Sequence, residues 1–449
     1  MAHQSNPSKT TENLSRSDGR SAEEGPHLWG GGLPRGGPSG TPAGGAFLGR
    51  DAKYKNRPQI DLETGEILGT VDPMGTRVQR FILQAVARKF LPKTRLDNCL
   101  RVRQKSKDVE VLKSVEHKTA FFANLQTCGS VWACPVCSAK IAERRRAEIQ
   151  AAMAAHKAAG GCVNMLTLTC PHQRTDNLSD LLSKQAKALN AFNADRVTKA
   201  VYQEMGTIGQ IRALEVTHGR LSPSNNGWHP HYHVLLFQGL NDCSSIFDAP
   251  QMMDFQVRLF LVWERCCVRA GLGRPSFAHG LKLDDGSKAA KYVTKWGLED
   301  EMTKGHTKKA LHGETPFDFL RAYFADKDDK QAGALFKEFS ETFKGKRQLH
   351  WSKGLKKRYS IGEKTDVEVS LEQDDQARLL GSITLEQWRD VLAANGRGNV
   401  LSLAASAGWE VVLVYLTSIR RCAGGDLENV TESPEGRSSP PAYVHKKRT

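Results

Sequence analysis

The sequence predicts an α+β protein built on a ferredoxin-like, split β-α-β antiparallel sheet. Three observations favour this fold class. Strand and helix patterns alternate in the order β-α-β-β-α-β-α, a short polar turn joins the second strand to the third, and the third strand carries three alternating histidines. In such a fold the third strand lies centrally and pairs with the second. We expect a cysteine cluster before this sheet and a helical region after it.

Each element of the series has its own local pattern. Strands are rich in β-branched and apolar residues, helices repeat apolar residues every three or four positions, and Gly, Ser, Asn and Pro mark turns. The predicted elements are a strand at 162–169, a helix with apolar positions from 178 to 192, a strand at 208–217, a turn at 222–227, the histidine strand at 227–238, a helix at 249–269, a strand at 277–283 and a helix from Ser287 to Gly297.

The histidine strand is the most unusual stretch of the chain. Successive side chains of a strand alternate faces, so His229, His231 and His233 share one face, and apolar side chains occupy the other. With 14 histidines in 449 residues, chance predicts roughly 0.01 such triplets in a chain of this length. Neutral imidazoles gain nothing from sharing a face, and a divalent metal would explain their clustering. The alternative is a half-exposed strand whose histidines face solvent.

Glu215 is the single carboxylate in the otherwise apolar second strand. Cross-strand neighbours on one face lie about 5 Å apart, so the hairpin predicts Glu215 beside the histidines as a third ligand. Two imidazoles and one carboxylate suit Mg²⁺ or Mn²⁺ through oxygen and Zn²⁺ through nitrogen, so the ligand types leave the metal open. An exposed strand residue without a ligand role is the alternative.

A cysteine knuckle precedes the sheet. Cys134 and Cys137 form a Cys-x-x-Cys pair, and Cys128 lies six residues before it. With Cys99 or His117 as a fourth ligand, these thiols could close a tetrahedral structural Zn²⁺ site. Buried free thiols are the alternative. A helical stretch carrying three consecutive arginines follows at 138–156 and would place positive charge beside the knuckle.

Tyr292 lies on the last predicted helix between two lysines. Spacings of three and four residues share a helix face, so Lys288 and Lys295 flank the phenol. Neighbouring ammonium groups favour the ionised form of a phenol, and such a tyrosine could attack phosphorus. The alternative is an ordinary residue of an amphipathic helix.

Charge and composition indicate the kind of partner. Lys plus Arg number 64 against 49 Asp plus Glu, an excess of 15 positive charges, which favours a polyanionic partner, nucleic acid before membrane. The alternative is a soluble basic protein without such a partner. The sequence contains neither an apolar run of 18 residues nor the pattern of a signal peptide, so a cytoplasmic protein is expected. In that reducing compartment, clustered cysteines favour metal over disulfides.

Three of these motifs, taken in order, resemble those of the rolling-circle replication initiators of small bacterial plasmids, which are HUH endonucleases. The first motif is Leu166–Thr169, the second is the His229–His233 run, and the third is Tyr292–Lys295. The resemblance extends over about 95–360 and includes the Cys134–Cys137 knuckle and two downstream segments that begin at Thr315 and Arg347.

The resemblance implies a chemistry for these residues. His231, His233 and Glu215 would hold a catalytic Mg²⁺ or Mn²⁺, and Tyr292 would nick one DNA strand, remain on the 5′ phosphate and leave a 3′ hydroxyl. Lys295 would hold a phosphate or stabilise the phenolate. Lys288 stands where some members carry a glutamate that activates water in termination, so the resemblance does not imply that route for this chain.

The resemblance also implies partners and a domain organisation. A single-tyrosine enzyme is expected because no second tyrosine lies one turn away. The partners would be plasmid origin DNA, single-stranded or extruded at the nick, with a host helicase and polymerase in the bacterial cytoplasm, and oligomer formation stays open. The predicted domains are a disordered tail at 1–50, a cysteine-knuckle and basic helix region at 77–158, the HUH catalytic domain at 159–300, a mainly helical region at 301–422 and a disordered tail at 423–449.

Two other classes of protein stay open. A rolling-circle transposase or a relaxase shares the same motif and chemistry. A non-enzymatic zinc DNA-binding protein would use the cysteines and give no function to Tyr292. The helical region carries basic residues at 353 and 356–358, which could bind origin duplex, assist oligomer formation, or serve packing alone.

Overall fold

A computed structural model describes residues 73–104, 107–115, 118–222, 225–239, 249–286, 313–372 and 376–424. All of them belong to one of the two compact units of the chain, Pro58–Thr449. The described part is an α+β structure with two antiparallel sheets and a helical region, which confirms the predicted fold class at this level. The predicted tail at 1–50 and nearly all of the tail at 423–449 lie outside the described residues.

The bounds of the elements are as follows. The strands are β1 (Val109–Lys113), β2 (Ala120–Ala123), β3 (Cys162–Thr169), β4 (Thr207–His218), β5 (Trp228–Gln238), β6 (Leu281–Asp284), β7 (Leu349–Trp351) and β8 (Arg378–Ile383). The helices are α1 (Pro73–Phe90), α2 (Arg95–Asn98), α3 (Pro135–Ala158), α4 (Leu178–Ala194), α5 (Arg196–Glu204), α6 (Ala249–Arg269), α7 (Phe277–Gly280), α8 (Pro316–Ala325), α9 (Lys330–Thr342), α10 (Leu355–Arg358), α11 (Asp366–Leu371), α12 (Leu385–Ala393), α13 (Arg397–Ser406) and α14 (Trp409–Gly424).

The larger sheet has the strand order β6-β3-β5-β4-β7, and every neighbouring pair is antiparallel. Its first four members are the four strands predicted from sequence, and the histidine strand β5 lies between β3 and β4. The pairing of the second and third strands is therefore confirmed. The additional strand β7 lies on the outer edge of β4.

The two faces of this sheet are apolar for most of their length and are covered by different helices. On one face, side chains such as Leu214, Tyr232 and Val234 belong to a core cluster with residues of α4 and α6. On the other face, Ala213 and Leu235 belong to a cluster with residues of α3. Because side chains alternate, Glu215, His231 and His233 lie on the α3 face.

Local sequence explains how the covering helices begin. The Asn177 side chain accepts hydrogen bonds from the backbone N–H groups of Ser179 and Asp180, which caps α4. Pro135 occupies the first turn of α3, where its missing N–H leaves no hydrogen bond unmade. In α6 the fully buried Trp263 donates from Nε1 to the Thr169 carbonyl at 2.8 Å, which ties the helix to the end of β3.

The predicted bounds of the fourth strand were wrong. The fourth strand was predicted at 277–283, but Phe277–Gly280 forms a single helical turn, and β6 begins at Leu281, where pairing with β3 starts. The Gly280 N–H donates to the Ser276 carbonyl at 2.7 Å, so this segment makes a local turn rather than a strand pair. The helix predicted from 178 to 192 is confirmed as α4, and an additional helix, α5, follows it with its first turn capped by the Asp195 carboxylate.

The smaller sheet has the order β2-β1-β8 and was not predicted. It joins the region that carries the cysteines to the C-terminal helices, because β8 pairs with β1. Apolar residues of α12, α13 and α14 pack on it. Within the part of the chain that the structure describes, no helix has the length and apolar character needed to cross a membrane.

Candidate metal centre

The three predicted catalytic ligands meet at one end of the β4–β5 hairpin. Glu215 lies directly opposite His231 in the strand register, and His233 is two residues further along β5 on the same face. The Glu215 Oε2 atom lies 3.4 Å from His231 Nε2 and 3.5 Å from His233 Nε2. The possible ligand atoms of the three side chains all lie within 4.8 Å of one another.

Hydrogen bonds at the far nitrogens orient both imidazoles. His233 Nδ1 lies 3.1 Å from the Thr167 hydroxyl of β3, and His231 Nδ1 lies 3.4 Å from the His229 carbonyl. A carbonyl oxygen only accepts, so His231 Nδ1 carries the proton and its Nε2 lone pair is directed toward Glu215 in the neutral ring. A partner on the distal nitrogen is the usual way in which a metal-binding histidine is held in one tautomer.

The electrostatics of the site favour a bound cation. Burial would raise the pKa of Glu215, but hydrogen bonds with His231 and His233 hold it well below the usual range, so the carboxylate is ionised at neutral pH. Burial would lower the pKa of His231, but the Glu215 carboxylate raises it. A divalent cation at this position would be coordinated by the carboxylate and by both Nε2 lone pairs.

The site is partly exposed to solvent. The side chains of Glu215, His231 and His233 keep 25%, 16% and 15% of their exposure. Two nitrogens and one carboxylate with free positions form a ligand set suited to a catalytic ion, which keeps places for water or a phosphate oxygen. The residues present therefore fit a divalent metal.

The third histidine of the strand does not join this group. His229 stacks on His172, with ring centroids 4.7 Å apart, and burial lowers its pKa to about 3, with His231 and His172 adding to the effect. In the described part of the chain its Nε2 atom is buried without a hydrogen-bond partner. His229 therefore contributes a neutral ring and a backbone carbonyl beside the site, and its imidazole is not a member of the ligand set.

A second candidate metal site is formed by four buried cysteines. Cys99 follows the short helix α2, and its Sγ atom lies 3.4 Å from that of Cys137 and 3.8 Å from that of Cys134. The Cys128 Sγ atom lies 3.6 Å from that of Cys137. The structure thus brings Cys99 to the three knuckle thiols, and His117, the other candidate fourth ligand, lies outside the described residues.

Two residues that sequence reasoning missed lie against these thiols. The Gln84 amide donates from Nε2 to Cys134 Sγ at 3.1 Å, and Arg397 of α13 donates from Nη1 to Gln84 Oε1 at 2.8 Å. Arg397 is fully buried, and among the described residues no carboxylate forms an ion pair with it. Burial, with Arg101 adding to the effect, lowers the pKa of Arg397 to about 10, and negative charge on the cysteine cluster would counter that effect.

Tyr292, Lys288 and Lys295 lie outside the described residues, as does the predicted helix that carries them.

Comparisons with known proteins agree with the motifs. Residues 120–242 match a family model described as "Replication protein". A curated "Protein rep" of Streptomyces lividans is 24% identical over 344 residues, which cover 61% of this chain and 74% of that protein. A "Neomycin resistance protein" of Streptomyces cyanogenus is 32% identical over 139 residues, which cover 26% of this chain and 31% of that protein. No solved structure gave a significant match.

Proposed function

We propose that this chain, which carries a domain of the replication-protein family at residues 120–242, initiates plasmid rolling-circle replication by nicking one strand of origin DNA. The resemblance to plasmid replication initiators is confirmed by the family match and by the similarity to "Protein rep". The convergence of Glu215, His231 and His233 on one sheet face carries the proposal of nicking chemistry. The strand order, in which β5 lies between β3 and β4, supports an HUH nuclease fold.

In the proposed mechanism, one group of residues binds the metal and a second group acts directly on the scissile phosphate. His231, His233 and Glu215 would hold Mg²⁺ or Mn²⁺, and Thr167 keeps the His233 ring in position through Nδ1. A bound ion would supply a Lewis acid for the scissile phosphate. The Tyr292 oxygen forms a bond to phosphorus while the bond from phosphorus to the 3′ oxygen breaks, and that oxygen leaves as a 3′ hydroxyl after taking up a proton. Lys295 stabilises the phenolate or the phosphate.

Rejoining reverses these steps. A 3′ hydroxyl attacks the phosphotyrosine, the bond between phosphorus and the Tyr292 oxygen breaks, and the tyrosine is released. The covalent intermediate conserves the energy of the phosphodiester bond, so closure requires no ATP. We propose that the partners are origin DNA, presented single-stranded or extruded at the nick, together with a host helicase and polymerase.

A nicking assay tests this function. Supercoiled DNA that contains the gene for this chain and its flanking sequence is incubated with the protein and Mg²⁺ or Mn²⁺. We expect open circles that carry covalently attached protein at one 5′ end, and EDTA should prevent their formation. A vector that lacks these sequences is the control. DNA that stays supercoiled with both metals would contradict the proposed activity.

We also propose that Cys99, Cys128, Cys134 and Cys137 hold a structural Zn²⁺ ion. Four cysteine ligands that leave no open coordination position are typical of structural zinc sites. Burial would raise the pKa of Cys134, but hydrogen bonds from the other three thiols lower it well below its usual range. Zn²⁺ with four thiolates has a net charge of −2. The buried Arg397 carries a positive charge nearby, and Gln84 links it to Cys134 through two hydrogen bonds. This pairing explains an arginine that otherwise has no counterion among the described residues.

Metal analysis tests the zinc site. To exclude ions held by the histidines, the protein is prepared without chelator as a variant carrying His231→Ala and His233→Ala, and we expect about one Zn²⁺ per chain. Adding Cys134→Ser should remove that zinc and destabilise the fold, whereas Cys170→Ser, at a buried thiol outside the cluster, should leave the zinc content unchanged. A protein that contains no zinc before Cys134 is changed would favour buried free thiols.

A further inference from the structure

One continuous stretch of positive charge forms the edge of the larger sheet. Residues 344–358, here called the basic edge segment, contain seven Lys or Arg residues and no Asp or Glu. The segment includes β7 and α10. A charge run of this kind is usually a solvated surface, so its position relative to the candidate metal centre decides whether it has a function.

The strand register places residues 347–349 of this segment next to the candidate metal centre, and the part that begins at Ser352 follows β4 away from it, beside Gln210. Leu349 pairs with Ala213, and Ala213 pairs with His233. The Leu214 N–H donates to the Gln348 carbonyl at 3.1 Å, so the segment passes β4 one residue before Glu215. Adjacent strands are about 4.8 Å apart, so the backbone near Arg347 and Gln348 lies within roughly 10 Å of the histidine strand.

The segment is held firmly in this position. The Trp132 indole donates to the Lys346 carbonyl at 2.7 Å, and the backbone N–H of Gln210 donates to the Ser352 hydroxyl at 2.9 Å. Leu355 is buried in the core cluster on the α3 face. A polyanion that meets this edge therefore encounters a preformed row of cations rather than a loop that must first be ordered.

Most of the cations of the segment have no carboxylate partner. Lys356 is buried and paired with Glu148 at 3.3 Å, which accounts for one of the seven. The other six are exposed, and no carboxylate of the described residues forms an ion pair with any of them; they are Lys344, Lys346, Arg347, Lys353, Lys357 and Arg358. Unpaired exposed cations in a row repel one another, so a bound polyanion would relieve that repulsion.

We propose that the basic edge segment binds the phosphates of the single DNA strand that enters the candidate metal centre. This inference rests on the proposed function, because it assigns a path to the substrate of that reaction. A narrow strip one strand wide, which follows the β4 edge of the sheet and passes one residue from Glu215, fits one sugar-phosphate backbone. Basic grooves that follow a single backbone are the usual means of binding unpaired DNA without sequence preference.

The salt dependence of DNA binding tests this path. The variant combines Arg347→Ala, Lys353→Ala and Lys357→Ala, and the probe is a labelled single strand of about 20 nucleotides with mixed sequence. Each phosphate contact to a single strand contributes about 0.7 to the slope of log K against log salt, so the slope should fall by about 2. Binding to the matching duplex should change much less.

The matched control combines Arg196→Ala, Lys187→Ala and Lys199→Ala, the same residue types exposed on α4 and α5. We expect its slope to equal that of the wild type. An unchanged slope in the edge variant, an equal fall in the control, or a loss confined to the duplex would overturn the proposal. Covalent adduct formation by the wild type is measured in parallel. If no adduct forms, the proposed function fails, and the binding comparison still tests the segment.

Discussion

Alanine at His231 or at His233 is expected to abolish metal-dependent strand cleavage, with a loss of at least about a hundredfold. Each substitution removes one of two imidazoles whose Nε2 atoms lie 3.4 and 3.5 Å from the Glu215 carboxylate. The remaining imidazole and carboxylate should bind a divalent ion much more weakly than the full set of three ligands. Initial nicking rates over a titration of Mn²⁺, with metal binding measured by calorimetry, provide the test.

Folding should survive these substitutions. Both imidazoles are partly exposed, whereas the apolar side chains on the opposite face of β5, Tyr232 and Val234, stay in the core. His279→Ala, at an exposed histidine outside the ligand set, is the control and should cleave like the wild type. Glu215→Gln should weaken metal binding because it removes the negative charge. Wild-type cleavage by either histidine variant across the titration would show that the ligand assignment is wrong.

The part of the candidate site that lies in one hairpin was predictable from sequence. The turn predicted at 222–227 implies that the two strands pair, and the observed pairing with alternation puts Glu215 opposite His231. The bounds of β3 and α6 were also predicted, because each combines a strong periodic pattern with clear end signals. Local patterns are sufficient when the interacting residues are joined by a few residues of chain.

Contacts between distant segments were not predictable in this way. Gln84 and Arg397 are 313 residues apart, and neither has a neighbouring motif that points to the cysteines. The smaller sheet is built from strands of five, four and six residues, and β8 pairs with β1 across most of the described chain. Short strands carry few alternating positions, so their pairing depends on tertiary packing that a local pattern does not contain.

Thr167 represents an intermediate case. Its motif, Leu166–Thr169, was recognised as a strand and as part of the family resemblance. Its contact with His233 Nδ1 follows from the β3–β5 register, in which Thr167 pairs with His233. That register depends on which strands are neighbours, so the function of the hydroxyl became visible only with the sheet order.

The second large effect is expected at Tyr292, which we propose as the nucleophile. Tyr292→Phe removes the phenol oxygen and keeps the ring, so folding and metal binding should persist while no bond to phosphorus can form. A single-stranded origin oligonucleotide labelled on the 3′ side of the nick should migrate with the wild-type protein under denaturing conditions. With the variant we expect no adduct above background, and the Mn²⁺ titration measured by calorimetry should match that of the wild type.

Two tyrosines among the described residues, Tyr232 and Tyr323, are the alternative nucleophiles and serve as controls. Tyr232 is buried on the face of β5 opposite the histidines, and burial raises its pKa, so it lacks access to a phosphate bound at Glu215. Tyr323 packs edge-on against Phe90 with ring centroids 4.7 Å apart, and Tyr323→Phe should leave adduct formation unchanged. If Tyr292→Phe still forms the adduct and Tyr323→Phe or Tyr232→Phe does not, the nucleophile is that other tyrosine. The spacing of Lys288 and Lys295 around Tyr292 would then have no catalytic function.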